Sequence, residues 1–436
     1  MDGVQGQQME SGTALPRQDA LRLRAPRAYI SGEERHFPPP PPEPIPMPDT
    51  SYLTWPFFER EHRDFAGRFW PWVERELGPF VAAENREGEA ARAIFERIGG
   101  AGWLAGCIPA PESEGGGLDL RRACLLREAL AYGSGIADVA FSEPWLASLP
   151  IALQGNAEQR ARYLPAIEAG RAIPAFALSE PGAGSDVSAI ATEARETPDG
   201  YAIEGRKTWT SNAGVADLYV LFARLEGAGI SAFLVPGDTA GIMLEERLKV
   251  LPPHTVGTLS FRNCRVSRDC LLGRAGEGTR IALGALDLFR PTVGAATLGF
   301  ARRAFDEALQ RSLGRTAFGK PIAEHQLIQQ KLADMAVDID AAALLVYRAA
   351  WLNDRGGGRS TGAAAMAKLF STERAQEVVD QSLQIHGGMG VVSGVTVERL
   401  YREVRAFRIF DGTSEIQRLI IAKEVLRAFA EAAPPI

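Results

Sequence analysis

The hydrophobic positions of this chain follow two different periods. Helical spacing dominates residues 51–170, where five aromatic side chains recur at roughly helical spacing and are expected in the core: Phe57, Phe58, Phe65, Phe69 and Trp72. Between residues 171 and 275 the period changes to two, in segments such as YAIEGRKTWT and ISAFLVP that are separated by glycine, proline and asparagine. Helical spacing returns in residues 276–436, where the seam from Ile328 to Ala349 steps by four and three. The pattern predicts an α+β fold with an N-terminal helical domain, a middle β-domain and a C-terminal helical bundle.

The first 50 residues form a separate region that is polar and rich in proline, including five consecutive prolines at 38–42. Such a composition buries too little apolar surface to fold alone. We expect an N-terminal extension that lies on the rest of the protein, partly as polyproline II. A ligand for a proline-recognition domain is an alternative.

Composition and charge narrow the function classes. With 436 residues, 46% of them hydrophobic, the chain is long enough for two or three domains. Its net charge of −6 argues against a nucleic-acid partner. The four cysteines are scattered, which favours a reducing compartment and no metal site. We found no apolar run near the ~20 residues of a membrane span and no signal-peptide core, so the prediction is a cytoplasmic protein without a membrane span.

Two segments of the β-region carry candidate chemistry. FALSEPGAGSD, residues 176–186, ends an apolar strand with the Ser179 hydroxyl and a glycine turn, whose backbone N–H groups can approach an anion or a flat ring. GRKTWTSN, residues 205–212, places Trp209 and Ser211 where they could stack on an aromatic cofactor and bond to it. Taken singly, a glycine turn is often only structural and a tryptophan is often core.

Six segments together resemble the acyl-CoA dehydrogenase family over nearly the whole chain after the proline-rich extension. In chain order they are PESEGGG, FALSEPGAGSD, KTWTSN, RTAFGKPIAEHQ, LQIHGGMG and FDGTSEIQRLIIAKE. The resemblance implies that the C-terminal region is a four-helix bundle and that FAD is held among the three domains and at a subunit interface. It also implies an acyl-CoA substrate, an electron-transferring flavoprotein or other acceptor, and a homodimer or homotetramer.

The resemblance also implies roles for individual residues. The expected FAD contacts are Phe176, Leu178, Ser179, Gly184, Ser185, Trp209, Ser211, Thr413 and Glu415, with Ser185 also near the acyl-CoA. Residues expected to reach the FAD of a neighbouring subunit are Arg315, Phe318 and Gln326, and the pyrophosphate contacts are Gln384, Gly387 and Gly388. Expected substrate contacts are Asp287 and Arg290 in a D-x-x-R motif, Gly412, and Lys423 facing the CoA phosphates.

Asp411 stands where the resemblance implies the catalytic base, usually a glutamate, which removes the α-proton of an acyl thioester while the β-hydrogen leaves as hydride to flavin N5. The apolar neighbours Ile409 and Phe410 favour a raised pKa. Aspartate is one methylene shorter, a loss of roughly 1.5 Å of reach in a proton transfer that needs a gap of about 2.6–3.2 Å. The alternative is an aspartate that caps the last helix through the N–H of Thr413 or Ser414.

Some family members place the base on the helix with the D-x-x-R motif instead. Here the residues at that place are Leu288 and Phe289, which cannot accept a proton. Asp287 is the other carboxylate we noted near this place, and we interpret it as a substrate or structural contact. The sequence therefore favours Asp411 as the base.

The helical segment 127–150 matches the part of the family fold that forms the end of the acyl pocket, and its candidate substrate residues are Asp138, Val139 and Ser142. An acidic residue is unexpected beside an apolar chain. Asp138 either points to solvent or an ion-pair partner, or it accepts a hydrogen bond or proton from a short, branched, alicyclic or polar acyl group. In the loop at 248–258, which lacks the family's Gly-x-Arg, His254 is expected at the surface or rim, with a CoA contact as the alternative.

Two rival functions stay open at this point. A flavin oxidase of the same fold, acting on a nitroalkane or an acyl-CoA, is one, because an aspartate base also occurs in nitroalkane-oxidising relatives. A flavin-free acyl-CoA-binding or scaffold protein is the other.

Overall fold

The computed structural model of the chain describes residues 48–77, 87–109, 117–356 and 361–432. The predicted N-terminal extension, up to residue 47, and most of the PESEGGG segment lie outside the described residues.

In the described part of the N-terminal region, the chain forms five α-helices. They are α1 (Arg60–Leu77), α2 (Glu87–Gly100), α3 (Leu120–Gly133), α4 (Gly135–Gln154) and α5 (Ala157–Glu168). The aromatic positions that carry the helical period are core, as predicted, because Phe65, Phe69 and Trp72 are all buried. Helices α3 and α4 are buried along almost their whole length.

Helix α5 begins with a capping box. The Asn156 side chain accepts a hydrogen bond from the Gln159 N–H at 2.8 Å, and the Gln159 side chain accepts one from the Asn156 N–H at 3.0 Å. Both bonds satisfy backbone donors that the first turn of a helix leaves free. In the sequence, NAEQRARYLPAIEAG predicts a short helix with Asn156 as its N-cap, and the structure confirms this cap.

Replacing Asn156 with alanine should loosen α5. The lost cap costs about 1 kcal/mol, so we expect faster amide hydrogen exchange confined to the first turns of α5. Asn156→Asp keeps the accepting oxygen and serves as the control with near wild-type exchange. Wild-type exchange in the alanine variant would show that the cap does not hold the helix.

The middle region is an eight-stranded sheet. Its strands are β1 (Pro174–Ala177), β2 (Glu193–Thr197), β3 (Gly200–Ser211), β4 (Leu218–Leu225), β5 (Gly229–Pro236), β6 (Ile242–Leu248), β7 (Val256–Ser267) and β8 (Leu271–Leu272). The order is β6-β7-β3-β2-β4-β5-β8, with β1 added beside β4. Strand β4 pairs in parallel with β1 and β2, and the remaining pairs are antiparallel.

The predicted period of two places alternate residues of the sheet in two cores. Along β4, Val220 and Phe222 join the large core shared with the helices, while Leu221 and Ala223 join a second core within the β-domain. A strand buried on both faces reads as a continuous apolar run, which accounts for the LYVLFAR segment.

The C-terminal region is helical apart from one small hairpin. It contains α6 (Gly278–Gly314), the hairpin β9 (Thr316–Ala317) and β10 (Lys320–Pro321), α7 (Gln326–Asp354), α8 (Thr361–His386), α9 (Thr396–Arg405) and α10 (Ser414–Ala432). Helix α8 packs against α6, α7 and α10. The predicted seam on α7 is buried from Met335 to Ala349. The predicted order of helices, sheet and helices is confirmed.

Two helices are more apolar than we expected from the sequence, while the absence of a membrane span stays a prediction. Among the described residues, α4 and α6 are long and apolar enough to cross a membrane by length and composition. In each, 83% of the apolar window is buried inside the protein, and core helices commonly pass the same test. Their apolar character is therefore weak grounds for a membrane span.

Candidate functional site

Asp411 lies in the short connection before α10, on a strained backbone. Its φ of 56° places a non-glycine residue in the left-handed region. The next carbonyl, that of Gly412, accepts hydrogen bonds from Lys368 Nζ and Gln417 Nε2, each at 2.9 Å. The first turn of α10 is capped by Thr413, whose Oγ1 accepts from the Ile416 N–H at 3.4 Å. The local structure therefore fixes Asp411 and gives the capping role to Thr413.

Three cations surround the half-buried Asp411 carboxyl group. Burial raises the pKa of Asp411, while the positive charges of Arg127, Lys368 and Arg290 lower it. Lys368 is fully buried in α8, and burial lowers its pKa to about 8. A carboxyl group that is partly desolvated but flanked by cations can be ionised at neutral pH and still accept a proton.

The two charged residues of the D-x-x-R motif, Asp287 and Arg290, bind each other. Arg290 donates to Asp287 at 2.5 Å, and the Thr361 hydroxyl donates to the other Asp287 oxygen at 2.8 Å. Asp287 thus joins the start of α8 to α6 and fixes Arg290. This geometry favours the structural contact among the two interpretations of Asp287.

Asp138 is paired inside the protein. Arg127 binds both of its oxygens, at 2.7 and 3.3 Å, and also donates to Thr292 at 3.0 Å. Both partners of the ion pair are almost completely buried. This geometry favours the ion-pair alternative for Asp138 over a contact with the acyl group. Of its predicted neighbours, Val139 is half-buried and Ser142 is buried.

A second carboxyl group, Glu143 on α4, lies beside Asp411 and was missed from the sequence. The Ser211 hydroxyl, at the end of β3, donates a hydrogen bond to it. Burial, and then the nearby charge of Asp411, raise the pKa of Glu143 to about 8. From the sequence we had considered Asp287 as the second carboxylate near Asp411. In the structure Glu143 takes that place. The signal in the sequence was a lone glutamate in an apolar helix.

The two motif-bearing segments of the β-region are joined in space. The Thr208 N–H donates to the Ser179 carbonyl at 2.9 Å. The buried Lys207 Nζ donates to the Leu178 carbonyl at 2.9 Å and to Glu180 at 2.7 Å. The buried ion pair between Lys207 and Glu180 therefore ties the two segments together. It holds Ser179 on one segment close to Trp209 and Ser211 on the other.

The end of β3 offers an exposed aromatic side chain that suits contact with a flat ring. Trp209 is 61% exposed with a φ of 56°, although a tryptophan in a strand is usually buried. Ser211 is buried directly beyond it, and Phe176 is half-buried on β1. Strained backbone and an exposed aromatic ring at one place are typical of a ligand site.

The predicted phosphate-binding loops are open. Gly184 and Ser185 are exposed, as are Gly387 and Gly388. A Cβ placed on any of these three glycines would meet no atom within 4 Å, so a ligand can approach the backbone. Together with Trp209 and Ser211, these loops fit the ring and the pyrophosphate of FAD.

The three residues predicted to reach a neighbouring subunit are on the surface, and so are the predicted pyrophosphate contact Gln384, FAD contact Glu415 and CoA contact Lys423. Arg315, Gln326, Gln384, Glu415 and Lys423 are exposed. Phe318 is 96% exposed on the hairpin turn, with a φ of 52°. Within the described residues, Arg315 and Lys423 form no ion pair, so both cations can meet phosphate groups.

Two histidine positions complete the description. His254 is half-buried, and burial lowers its pKa to about 4. Glu59, Glu61 and His62 are close enough together to hold a metal ion. Because the His62 Nε2 already bonds to Asp119 at 3.0 Å, this group has a structural explanation.

Comparisons with known proteins agree with this geometry. The chain matches the N-terminal, middle and C-terminal domains of acyl-CoA dehydrogenase over residues 59–171, 175–264 and 276–426. It is 40% identical to the human mitochondrial short-chain specific acyl-CoA dehydrogenase over 375 residues, which is 84% of this chain and 89% of the relative.

Two solved structures show the same fold. The acyl-CoA dehydrogenase complexed with FAD from Bacillus anthracis superposes with a TM-score of 0.80 at 32% identity, over 86% of this chain and 68% of that one. A structure named for the electron transferring flavoprotein of Acidaminococcus fermentans gives 0.79 at 34% identity, over 85% and 99%.

Proposed function

Because the chain belongs to the acyl-CoA dehydrogenase family, an FAD-dependent class that acts on CH–CH groups, we propose that it oxidises a short or alicyclic acyl-CoA with Asp411 as the base. The observation that carries this proposal is the placement of Asp411. It is the half-buried carboxylate fixed among Arg127, Lys368 and Arg290, at the position where the family has its base. The product is the 2,3-enoyl-CoA.

In the proposed mechanism Asp411 takes the α-proton of the acyl thioester. Bound FAD supplies the two-electron acceptor for the β-hydrogen, which leaves as hydride. The cations around Asp411 keep it ionised before the transfer, and partial burial keeps it basic enough to accept the proton. Lys368 and Gln417 hold the Gly412 carbonyl, so the base cannot swing away from the substrate.

Two observations support a short or ring-shaped acyl group. Aspartate reaches less far than glutamate, so the α-carbon must lie deeper or be carried by a branched or cyclic group. The end of the pocket predicted on α4 also carries a carboxyl group, Glu143, which a long apolar chain would have to desolvate. The human relative is named for short-chain substrates.

An anaerobic absorbance titration of the FAD-loaded protein tests the substrate. We expect butyryl-CoA or cyclohexanecarboxyl-CoA to bleach the oxidised flavin band, and octanoyl-CoA to do so at least about tenfold more slowly, because its tail must displace water from a polar pocket end. A clear preference for octanoyl-CoA would contradict the assignment. A preference for butyryl-CoA over the cyclic substrate would remove the ring alternative.

A flavin oxidase of the same fold is the second candidate, and the observation that favours it is the aspartate in place of glutamate. Oxygen uptake with substrate and no added acceptor separates the two. The dehydrogenase proposal expects slow uptake that a separate electron acceptor outcompetes.

We further propose an electron-transferring flavoprotein as that acceptor, and a homodimer or homotetramer as the assembly. The name of the Acidaminococcus structure supports the first. Large apolar side chains on α7 and α10 support the second, since Leu327, Leu426 and Phe429 are each at least 70% exposed.

A further inference from the structure

The backbone around Asp411 is strained at two successive residues. Asp411 has a φ of 56° and Gly412 a φ of 91°, so both lie in the left-handed region. For a non-glycine residue this conformation persists only where the surroundings fix it. A Cβ on Gly412 would come within 2.6 Å of the Gln417 side chain, so the turn is also tightly packed. The connection before α10, residues 408–414, must therefore be held by contacts from other elements. We call it the base connection.

Glu373 on α8 binds both ends of the base connection. One of its carboxylate oxygens pairs with Arg408 Nη2 at 2.7 Å. The other accepts a hydrogen bond from the Ser414 hydroxyl. Burial opposes ionisation of Glu373, but the hydrogen bonds from Ser414 and Arg408 outweigh it and lower the pKa of its carboxyl group. Glu373 is therefore a carboxylate at neutral pH that uses one oxygen for each end of the connection.

The same helix also holds the middle of the base connection. Lys368, five positions before Glu373, donates to the Gly412 carbonyl at 2.9 Å. On the apolar side, the Phe410 ring packs against the Phe407 ring at a centroid distance of 4.7 Å. Helix α8 thus contacts the start, the middle and the end of the connection. Contacts made from a packed helix hold a functional group more precisely than contacts made from loops.

The exposure of the ion pair indicates whether it serves stability or geometry. The side chains of Arg408 and Glu373 are 34% and 19% exposed. Ion pairs that water can reach contribute little to the free energy of unfolding. In contrast, a displacement of about 1 Å at a reacting group can slow a reaction about 10²-fold. The contacts of Glu373 should therefore matter more for the rate than for stability.

We propose that Glu373 is a positioning residue for the reaction, which holds both ends of the base connection and so keeps the Asp411 carboxylate in one position. The inference rests on the proposed function and deepens it. Asp411 takes the α-proton as before, while Glu373 acts through Arg408 and Ser414 rather than on the substrate.

Anaerobic stopped-flow absorbance with butyryl-CoA tests the proposal. Glu373→Leu removes both bonds and should slow flavin reduction about 10²-fold, while FAD content and the Kd of crotonyl-CoA stay within a few-fold of the wild type. Glu373→Gln keeps the volume and one accepting oxygen, so we expect a smaller loss of about tenfold. Glu377→Gln, which breaks the ion pair of another α8 glutamate with Arg374 of the same helix, is the matched control with the wild-type rate.

A coupling experiment shows whether Glu373 acts through the base connection. The double variant Arg408→Met, Ser414→Ala removes the two groups that Glu373 binds. Adding Glu373→Leu to it should slow flavin reduction little further, because side chains that share one network do not have additive effects. If Glu373→Leu slows the double variant as strongly as it slows the wild type, the inference is overturned.

Amide hydrogen exchange provides a readout apart from turnover. Residues 408–414 should exchange faster in Glu373→Leu than in the wild type or Glu377→Gln. Wild-type flavin reduction by Glu373→Leu would overturn the inference, and so would a slow rate with a proportional loss of crotonyl-CoA binding. If the wild type reduces no flavin with any short acyl-CoA, the proposed function fails. Unchanged exchange at residues 408–414 would show separately that Glu373 does not hold the connection.

Discussion

Replacing Asp411 with asparagine is expected to slow flavin reduction by acyl-CoA about 10²–10⁴-fold while leaving acyl-CoA binding within a few-fold of the wild type. Asparagine has nearly the shape of aspartate but cannot take a proton, and general base catalysis is worth about this much. Within the described part of the chain, two neighbouring carboxylates are already engaged by other side chains. Asp138 is bound to Arg127, and Asp287 is bound to Arg290 and Thr361.

Anaerobic stopped-flow absorbance measures this rate directly, and calorimetry with a 2,3-enoyl-CoA measures the binding. Asp199→Asn, in the exposed turn between β2 and β3, is the matched control and should behave as the wild type. An Asp411→Asn enzyme that binds ligand and reduces flavin at the wild-type rate would remove Asp411 as the base.

Replacing Arg127 with methionine is expected to cost about 3–5 kcal/mol of unfolding free energy, because it leaves Asp138 as an unpaired buried charge. Arg127 also packs its guanidinium 4.6 Å from the centre of the Phe289 ring and donates to Thr292. The N-terminal helices should therefore unfold at lower urea concentration, as followed by tryptophan fluorescence.

The double variant Arg127→Met, Asp138→Leu is the informative control. It removes both charges and should recover most of the lost stability, since a buried ion pair can be replaced by apolar groups at little cost. A single Arg127→Met variant as stable as the wild type would show that Asp138 does not depend on the pair. Failure of the double variant to recover would place the effect in packing rather than in charge.

The fold was predictable because its signals are local. The aromatic period of α1, the seam of α7 and the Asn156 cap each lie within one segment of the chain, and each is where it was expected. Membrane-length helices escaped prediction because α4 carries Asp138 and Glu143, and α6 carries the D-x-x-R motif. These charges interrupt the apolar runs in the sequence. Averaged over 18 residues, however, the hydropathy of each helix still reaches that of a possible membrane span.

The site was less predictable because it depends on distant contacts. The resemblance identified Asp411, but the ion pair of Asp138 with Arg127 lies across two helices and could not be chosen over a solvent-facing position. Glu143 was missed because both of its partners, Ser211 and Asp411, come from other domains of the chain. Lys368 was missed for the same reason, since its contact with the Gly412 carbonyl joins α8 to the connection before α10.

The central claim is that this protein dehydrogenates an acyl-CoA at the bond between C2 and C3. The most direct measurement is an anaerobic single turnover with a short acyl-CoA, followed by mass spectrometry of the product. The account predicts one 2,3-enoyl-CoA formed for each flavin bleached. Bleaching without an enoyl-CoA product, or no bleaching by any linear or cyclic short acyl-CoA, would contradict it.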